Sequence, residues 1–200
     1  MSTKLMGNVW ATWLLWVTAG EFAGFLIPAV VAALTSSGPL LVLAGVVEGV
    51  VLGGAQCLVL RRVIPRVNVR DWIGVTALAA GLAWAIALFA VHNEEPLRSL
   101  PPAVLLPLAA IAGIGVVLSI GIGQWFVLRR HVDRAFRWVW LTGAAWCAGL
   151  LVFATFTSPL WRLGQPTVLV ILIGAAGGLL MAATMAFITG AALAYLLGKP

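Results

Sequence analysis

The stretch Gln56-Cys57-Leu58-Val59-Leu60-Arg61-Arg62 ends a long apolar run and opens a basic loop. A similar stretch, Gln124-Trp125-Phe126-Val127-Leu128-Arg129-Arg130, does the same 68 residues later (from 56 to 124). An apolar run that stops at paired arginines is typical of a spanning helix that reaches the cytoplasmic surface of a membrane. The repeated stretch therefore predicts two membrane boundaries on one side of a bilayer and an internal duplication of the chain.

The composition also indicates that a bilayer surrounds the chain. Of its 200 residues, 62% are hydrophobic and 9% are charged, whereas a soluble domain has roughly 25% charged residues. A spanning helix needs about 20 largely apolar residues, and six runs are long enough. They cover residues 8–34, 39–60, 71–91, 103–128, 138–157 and 167–197. The sequence predicts an all-α membrane protein with a single transmembrane domain over residues 1–200, and its basic residues follow membrane topology rather than nucleic-acid binding.

The basic residues predict the orientation of the six spans. The two termini and the second and fourth loops share one side, and that side carries ten of the twelve Lys and Arg residues: Lys4, Arg61, Arg62, Arg66, Arg70, Arg129, Arg130, Arg134, Arg137 and Lys199. Because cytoplasmic loops are enriched in Lys and Arg, we expect both termini in the cytoplasm. We interpret Trp72, Trp138 and Trp140, near the same boundary, as part of an interfacial aromatic belt.

The duplication extends beyond the basic stretches. At the same offset, Gly53 pairs with Gly121 and Trp72 pairs with Trp140. A third and weaker copy covers residues 190–199. Two clear hairpin repeats, or three with this copy, would be parallel and related by an axis along the membrane normal. We therefore predict a six-helix bundle with pseudo-threefold symmetry.

The Gln-x-x-Val-Leu-Arg-Arg stretch, followed by Trp at the next span, resembles a group of small, uncharacterised bacterial membrane proteins. Those proteins carry tandem Gln-Trp-Leu-Val-Leu-Arg-Arg-like repeats and a last helix rich in small residues. The resemblance covers spans two to six and implies a shared fold and a place in the bacterial cytoplasmic membrane, with no activity attached. The chain departs from the group at Cys57, where the group prefers Trp, and in its first span.

Polar and basic groups at the boundary are the first candidates for a role. Gln56 and Gln124 lie one turn before the arginine pairs. Their amides would either lock neighbouring hairpins together or form a polar ring at the cytoplasmic mouth of a pathway. Long basic side chains at a membrane boundary reach lipid phosphates. Anionic lipid headgroups are thus expected partners of four arginines: Arg61, Arg62, Arg129 and Arg130.

Glu21 and Glu48 do not fit the repeated pattern. Each lies near the middle of its span on a face of small residues, and the position equivalent to Glu48 is Val116. An ionisable residue inside a span is costly and indicates a functional site. We expect both carboxyls to point into the bundle. Pro28, two turns beyond Glu21, lacks an N–H group and so frees a backbone carbonyl beside the pair.

Two interpretations of these carboxyls stay open. One is a proton or cation relay, or a site for a cationic substrate, in a small transporter or channel-like protein. The other is hydrogen bonding between helices in a non-catalytic membrane subunit or scaffold, with lipid, another membrane protein or a second copy as its partner. Trp84 and Trp146, inside spans, are interpreted as packing residues rather than a ligand cage. No catalytic, nucleotide-binding or metal-ligand motif occurs, so we predict no catalytic residue, metal or cofactor.

Overall fold

The computed structural model describes residues 3–198, with side chains from residue 9 onward. Within that range the chain forms seven helices and no strand, and six of the helices are long and apolar enough to cross a membrane, which confirms six predicted spans. The side chain of Lys4 and the whole of Lys199 lie outside the described part. The helices are α1 (Thr3–Leu34), α2 (Gly38–Val63), α3 (Val69–His92), α4 (Glu94–Arg98), α5 (Pro102–Leu128), α6 (Phe136–Thr157) and α7 (Thr167–Leu197).

Local chemistry sets where the long helices begin. Asn68 caps α3, because its side-chain oxygen accepts the backbone N–H groups of Arg70 at 3.0 Å and Asp71 at 3.3 Å. Prolines stand in the first turns of α2 and α5. A first-turn N–H has no partner within the helix, so its loss there costs nothing. These signals place the loops where the sequence predicts them.

The six long helices form a closed ring. Each packs against the next long helix in the chain, and α7 packs against α1. Consecutive helices run antiparallel, so the loops that carry the arginine pairs lie at one end, here named the arginine end. The other three connections lie at the opposite end. The internal duplication and the pseudo-threefold symmetry stay predictions.

Glycines bring the helices of the ring into close contact. A Cβ atom on Gly49 of α2 would lie 2.6 Å from the Cα atom of Ala77 on α3, and one on Gly53 would lie 3.1 Å from the Cα atom of Ile73. On α1, a Cβ atom on Gly20 would overlap the side chain of Ala55. The small residues therefore pack against helices of the same chain, since close backbone approach is what drives association in lipid.

A layer of buried polar and indole groups crosses the ring near the arginine end. We name it the tryptophan–glutamine layer. Every long helix contributes, and each member is at most 5% exposed: Trp13, Gln56, Trp72, Thr76, Gln124, Trp138 and Thr189. Trp72 and Trp138 are fully buried, so their interpretation as interfacial belt residues is wrong: their indole N–H groups bond inside the protein. Trp140, which is exposed, keeps a position compatible with a belt.

Gln124 is the centre of the hydrogen-bond network in this layer. Its Nε2 atom donates to Gln56 Oε1 at 2.7 Å and to Thr76 Oγ1 at 3.0 Å. Its Oε1 atom accepts from Trp138 Nε1 at 2.8 Å. The bonding partner is thus Trp138 and not Trp140, the residue that the 68-residue offset pairs with Trp72. One amide joins α2, α3, α5 and α6.

Three further contacts complete the layer. Trp13 Nε1 donates to Thr189 Oγ1 at 3.0 Å and so connects α1 to α7. The rings of Trp13 and Trp138 meet edge to face with centroids 6.1 Å apart, and Trp72 Nε1 donates to Gln56 Oε1 at 2.9 Å. Because all the participating side chains are buried, the layer closes the interior of the ring at the arginine end.

Candidate functional site

A cavity of about 230 Å³ lies inside the ring, and all six long helices contribute to its wall. Its acidic groups are Glu21 of α1 and Glu48 of α2, the two residues that the sequence singles out. The other lining residues are glycine, aliphatic, methionine or aromatic. The fold therefore brings both carboxyls to one apolar chamber.

The cavity and the tryptophan–glutamine layer are related by a constant spacing. On each long helix, one member of the layer lies eight residues from a residue that lines the cavity. Eight residues correspond to about 12 Å along a helix and return to nearly the same face. The layer is thus the floor of the cavity toward the arginine end. The pairs are Trp13 and Glu21, Gln56 and Glu48, Thr76 and Trp84, Gln124 and Val116, Trp138 and Trp146, and Thr189 and Met181.

Glu21 is the unusual group of this site. Its side chain is 1% exposed, and neither carboxyl oxygen has a hydrogen-bond partner among the described residues. A buried polar group without a partner costs roughly 1–3 kcal/mol, and more when charged. Such a group in a native structure calls for an explanation, such as a catalytic role, an ordered water or a bound ion.

Glu48 is held in place by its neighbours. Its Oε2 atom accepts a hydrogen bond from Trp84 Nε1 at 2.7 Å. The Trp84 ring lies against Gly45, where a Cβ atom would overlap it. On the other side, a Cβ atom on Gly24 of α1 would lie 3.2 Å from Glu48 Cγ. The two carboxyls therefore differ, because Glu48 is positioned by α1 and α3 whereas Glu21 is unbonded.

Pro28 lies in the same part of α1 and is fully buried. The helix continues through it to Leu34. A proline N atom carries no hydrogen, so the carbonyl of Gly24, four residues earlier, lacks its helical donor. Gly24 is the residue that packs against Glu48, which places an extra backbone acceptor near the carboxyl pair.

Two threonine hydroxyls, like the carboxyl of Glu21, are buried without a hydrogen-bond partner among the described residues. They are Thr18 Oγ1 and Thr142 Oγ1. Thr18 lies between Trp13 and Glu21 along α1, and Thr142 lies midway between the layer and the cavity wall on α6. Unsatisfied hydroxyls at such positions are suited to ordered water.

The predicted lipid-contact arginines lie at the arginine end and are exposed. Arg130 is also 3.3 Å from Asp71, atom Nη1 to Oδ2, and Arg129 lies over the rings of Trp125 and Phe126 at 5.0 and 4.8 Å. These contacts are at the surface, where an ion pair contributes little. None of the four arginines lines the cavity.

The interpretation of Trp84 as a packing residue missed its bond to Glu48. A usable signal exists in the sequence, because Gly45 and Gly49 flank Glu48 at helical spacing and leave space for a large side chain. Likewise, Trp13 precedes Glu21 by the same eight residues that separate Glu48 from Gln56. This equal spacing indicates that Trp13 and Gln56 lie at one level only when α1 and α2 are known to be antiparallel neighbours.

Comparisons of the chain with models of protein families, with curated proteins and with solved structures find no match. The resemblance to small bacterial membrane proteins with tandem repeats therefore stays a prediction.

Proposed function

We propose that the protein is a small proton- or cation-linked transporter or channel-like protein that works through Glu21 and Glu48. The observation that supports this most is Glu21, a fully buried carboxyl without a hydrogen-bond partner among the described residues at the wall of a cavity. A carboxylate inside an apolar chamber holds either a proton or a cation, because either one neutralises it. Interhelical hydrogen bonding, the other interpretation of the pair, would need a partner for Glu21.

The closed floor of the cavity suggests how such a protein works. In the described conformation the tryptophan–glutamine layer separates the cavity from the arginine end. A proton or cation that reaches that end has to pass this layer, so the bonds of Gln124 have to open or relay it. Thr18 and Thr142 supply unpaired hydroxyls between the cavity and the layer. Opening of the layer and occupancy of Glu21 would thus be coupled.

The proposal includes the orientation and the repeats. The arginine end would face the cytoplasm of a bacterial cell, with both termini on that side. The repeats would surround a pseudo-threefold axis, and one similarity supports them: Gln56 accepts from Trp72, and Gln124 accepts from Trp138, each on the next long helix. The second pair is two residues closer in sequence, although the loop between its helices (residues 129–135) is two residues longer than the loop between α2 and α3 (residues 64–68).

The proposed partners are lipids first. The exposed pairs Arg61–Arg62 and Arg129–Arg130 suit anionic headgroups at the cytoplasmic surface. We propose a membrane protein partner or a second copy only after lipid, because the glycine faces that would form such an interface pack against helices of the same chain. The alternative function is a non-catalytic subunit or scaffold. The interhelical bond between Trp84 and Glu48 fits it as well, but it leaves Glu21 without a partner among the described residues.

Proton flux in liposomes tests the proposed function. Purified protein is reconstituted with a trapped pH-sensitive dye, and a potassium diffusion potential drives protons, with and without an imposed Na⁺ gradient. We expect flux above that of protein-free liposomes, and at least a tenfold lower rate in Glu21→Gln, because an amide carries no exchangeable acidic proton. Glu48→Gln should reduce the rate less, because Glu48 is held by Trp84.

Glu95→Gln is the matched control, since Glu95 is exposed at the opposite end. Its flux should equal that of the unmodified protein. The proposal is wrong if the double variant of Glu21 and Glu48 folds normally and retains full flux, or if the unmodified protein adds nothing to the leak of the lipid.

A further inference from the structure

We propose that the cavity binds a compact organic cation, an amine or quaternary ammonium with an apolar body, and that this cation replaces the proton on Glu21. This inference rests on the proposed function and names the class of substrate. It follows from the contrast between one unpaired carboxyl and the apolar wall around it. The exchange is balanced in charge, because the proton leaves to water as the cation enters.

The wall matches the body of such a ligand. Apart from Glu21 and Glu48, no charged residue in the described part of the chain lines the cavity. Four aromatic residues line it: Phe25, Trp84, Trp146 and Phe153. An ammonium group over an indole or phenyl face gains roughly 0.5–2 kcal/mol, most of it where water is excluded. Aromatic walls with a single counter-charge are a common way to recognise alkylated ammonium groups.

The same wall is poorly suited to a bare metal ion. Calcium takes about 6–8 oxygen ligands and magnesium about six. The lining supplies four carboxylate oxygens, and one of them accepts the Trp84 N–H group. Within the described residues, no three His, Cys, Asp or Glu side chains come together as a metal site. A hydrated metal ion that entered the cavity would exchange its water oxygens for methyl groups and rings, which do not coordinate it. An organic cation would instead move its apolar body from water to an apolar wall.

The size of the cavity sets the size of the ligand. Its volume is about 230 Å³. An engineered apolar cavity of roughly 150 Å³ holds one benzene, and pockets for drug-sized ligands begin at roughly 300 Å³. The cavity thus suits one ring with a short aminoalkyl or trimethylammonium arm. Larger polycyclic cations would require the helices to move apart.

The two carboxyls have separate tasks in this arrangement. Glu48 fixes the plane of the Trp84 ring through its hydrogen bond, and so shapes the wall. Glu21 supplies the counter-charge, since neither of its oxygens is held by a hydrogen bond to a described residue. Both oxygens are buried, so the side chain has to turn toward the cavity when the cation binds. Among the described residues, Glu48 is the only other titratable residue at the cavity, as the lining residues of α3, α5, α6 and α7 are all uncharged. Competition between proton and cation therefore concerns this pair alone.

Equilibrium binding of benzyltrimethylammonium to the whole protein in lipid nanodiscs tests the inference. We expect saturable binding, at least tenfold weaker in Glu21→Gln and unchanged in Glu95→Gln. Neopentylbenzene, which has the same shape without the charge, should compete at least tenfold less well, and so should Na⁺. Calorimetry in two buffers of different ionisation enthalpy should show net proton release.

Affinity should also fall as the pH is lowered from 8 to 5, because a protonated Glu21 no longer attracts the cation. This measurement uses the unmodified protein and does not depend on the folding of a variant. Equal competition by neopentylbenzene would mean a merely apolar cavity and would overturn the inference, as would equal competition by Na⁺ or unchanged binding in Glu21→Gln.

The outcomes separate this inference from the proposed function. Cation binding without proton-linked flux would keep the binding site and remove transport. Flux that requires Glu21 without any binding of benzyltrimethylammonium would keep the proposed function and remove the organic cation.

Discussion

The two halves of the bundle have different interiors. Toward the arginine end, polar side chains from all six long helices are buried: Gln124 bonds to those of α2, α3 and α6, and Trp13 of α1 bonds to Thr189 of α7. Toward the opposite end, the interior is a cavity with an unbonded Glu21. The buried residues of α5 all lie between Ser119 and Leu128, and those of α3 between Trp72 and Gly81. Neither helix thus has a buried residue in its outer part, beyond Gly81 on α3 and before Ser119 on α5.

This difference separates the part of the bundle that supports the fold from the part to which we assign the proposed function. In lipid, apolar surfaces gain nothing by leaving the solvent, so packing and hydrogen bonds carry helix association. The bonded half supplies both. The cavity half gives up contacts and leaves a carboxyl without a partner, which is a cost that only a ligand or proton offsets. We therefore expect mutations in the two halves to affect different measurements.

The largest effect should come from a matched pair of tryptophans on α6. Trp138→Ala removes a fully buried ring from the layer and should lower the free energy of unfolding by about 3 kcal/mol or more. Trp146→Ala, eight residues along the same helix, removes a ring that already borders the cavity, so it should cost less than half as much. Unfolding of each purified variant in mixed micelles measures both values.

An equal decrease in the free energy of unfolding of the two variants would show that Trp146 at the cavity wall stabilises the fold as much as Trp138 in the layer. The two halves would then not differ in this respect. Trp146→Ala should instead weaken binding of an aromatic cation, an effect that Trp138→Ala should lack if it folds.

A smaller effect is expected from the hydrogen bonds of the layer alone. Gln124→Leu keeps the approximate volume and removes three bonds, to Gln56, Thr76 and Trp138. With about 0.6 kcal/mol for each membrane hydrogen bond, the loss in free energy of unfolding should be about 2 kcal/mol. Gln165→Leu, which removes two hydrogen bonds to the backbone of Arg162 and Leu160 in the connection at the opposite end, is the comparison variant. It should cost less, because Arg162 and Leu160 are exposed and water can replace the lost bonds.

The flux assay gives this variant a second readout. A weakened floor should raise the leak of protons across the layer in Gln124→Leu. An unchanged leak together with unchanged stability would contradict the description of the layer as a closed floor.

The smallest change in stability should come from removing single indole donors on α3. Trp72→Phe leaves Gln56 Oε1 with its bond from Gln124, and Trp84→Phe leaves Glu48 Oε2 without its indole donor. Each should lower the free energy of unfolding by roughly 0.6 kcal/mol. Of these two variants, only Trp84→Phe should alter cation binding, because Trp84 lines the cavity and Trp72 does not. A change in binding of the same size in Trp72→Phe would show that the halves are not independent.

Much of the candidate site could be predicted from the sequence because it rests on exceptions to a pattern. Glu21 and Glu48 stand out as acids in apolar spans, outside the predicted repeat pattern, and both are buried in the structure, as their helical faces predict. The layer was harder to predict, because an indole near a membrane boundary looks the same whether it faces lipid or the protein. Trp138 and Trp140 lie two residues apart and point to different sides of one helix, and a 68-residue offset selects the wrong one as the partner of Gln124.

The sequence by itself determined that this chain is an all-α membrane protein, where its six spans lie, and which two carboxyls are out of place. These properties are local, because hydropathy, charge and turn residues act on one segment at a time. Only the tertiary structure decided that Gln124 bonds Gln56, that Trp84 holds Glu48, and that Glu21 has no partner among the described residues. Such pairings depend on the rotation and register of each helix, which close packing at residues such as Gly45 and Gly49 sets between segments far apart in the chain.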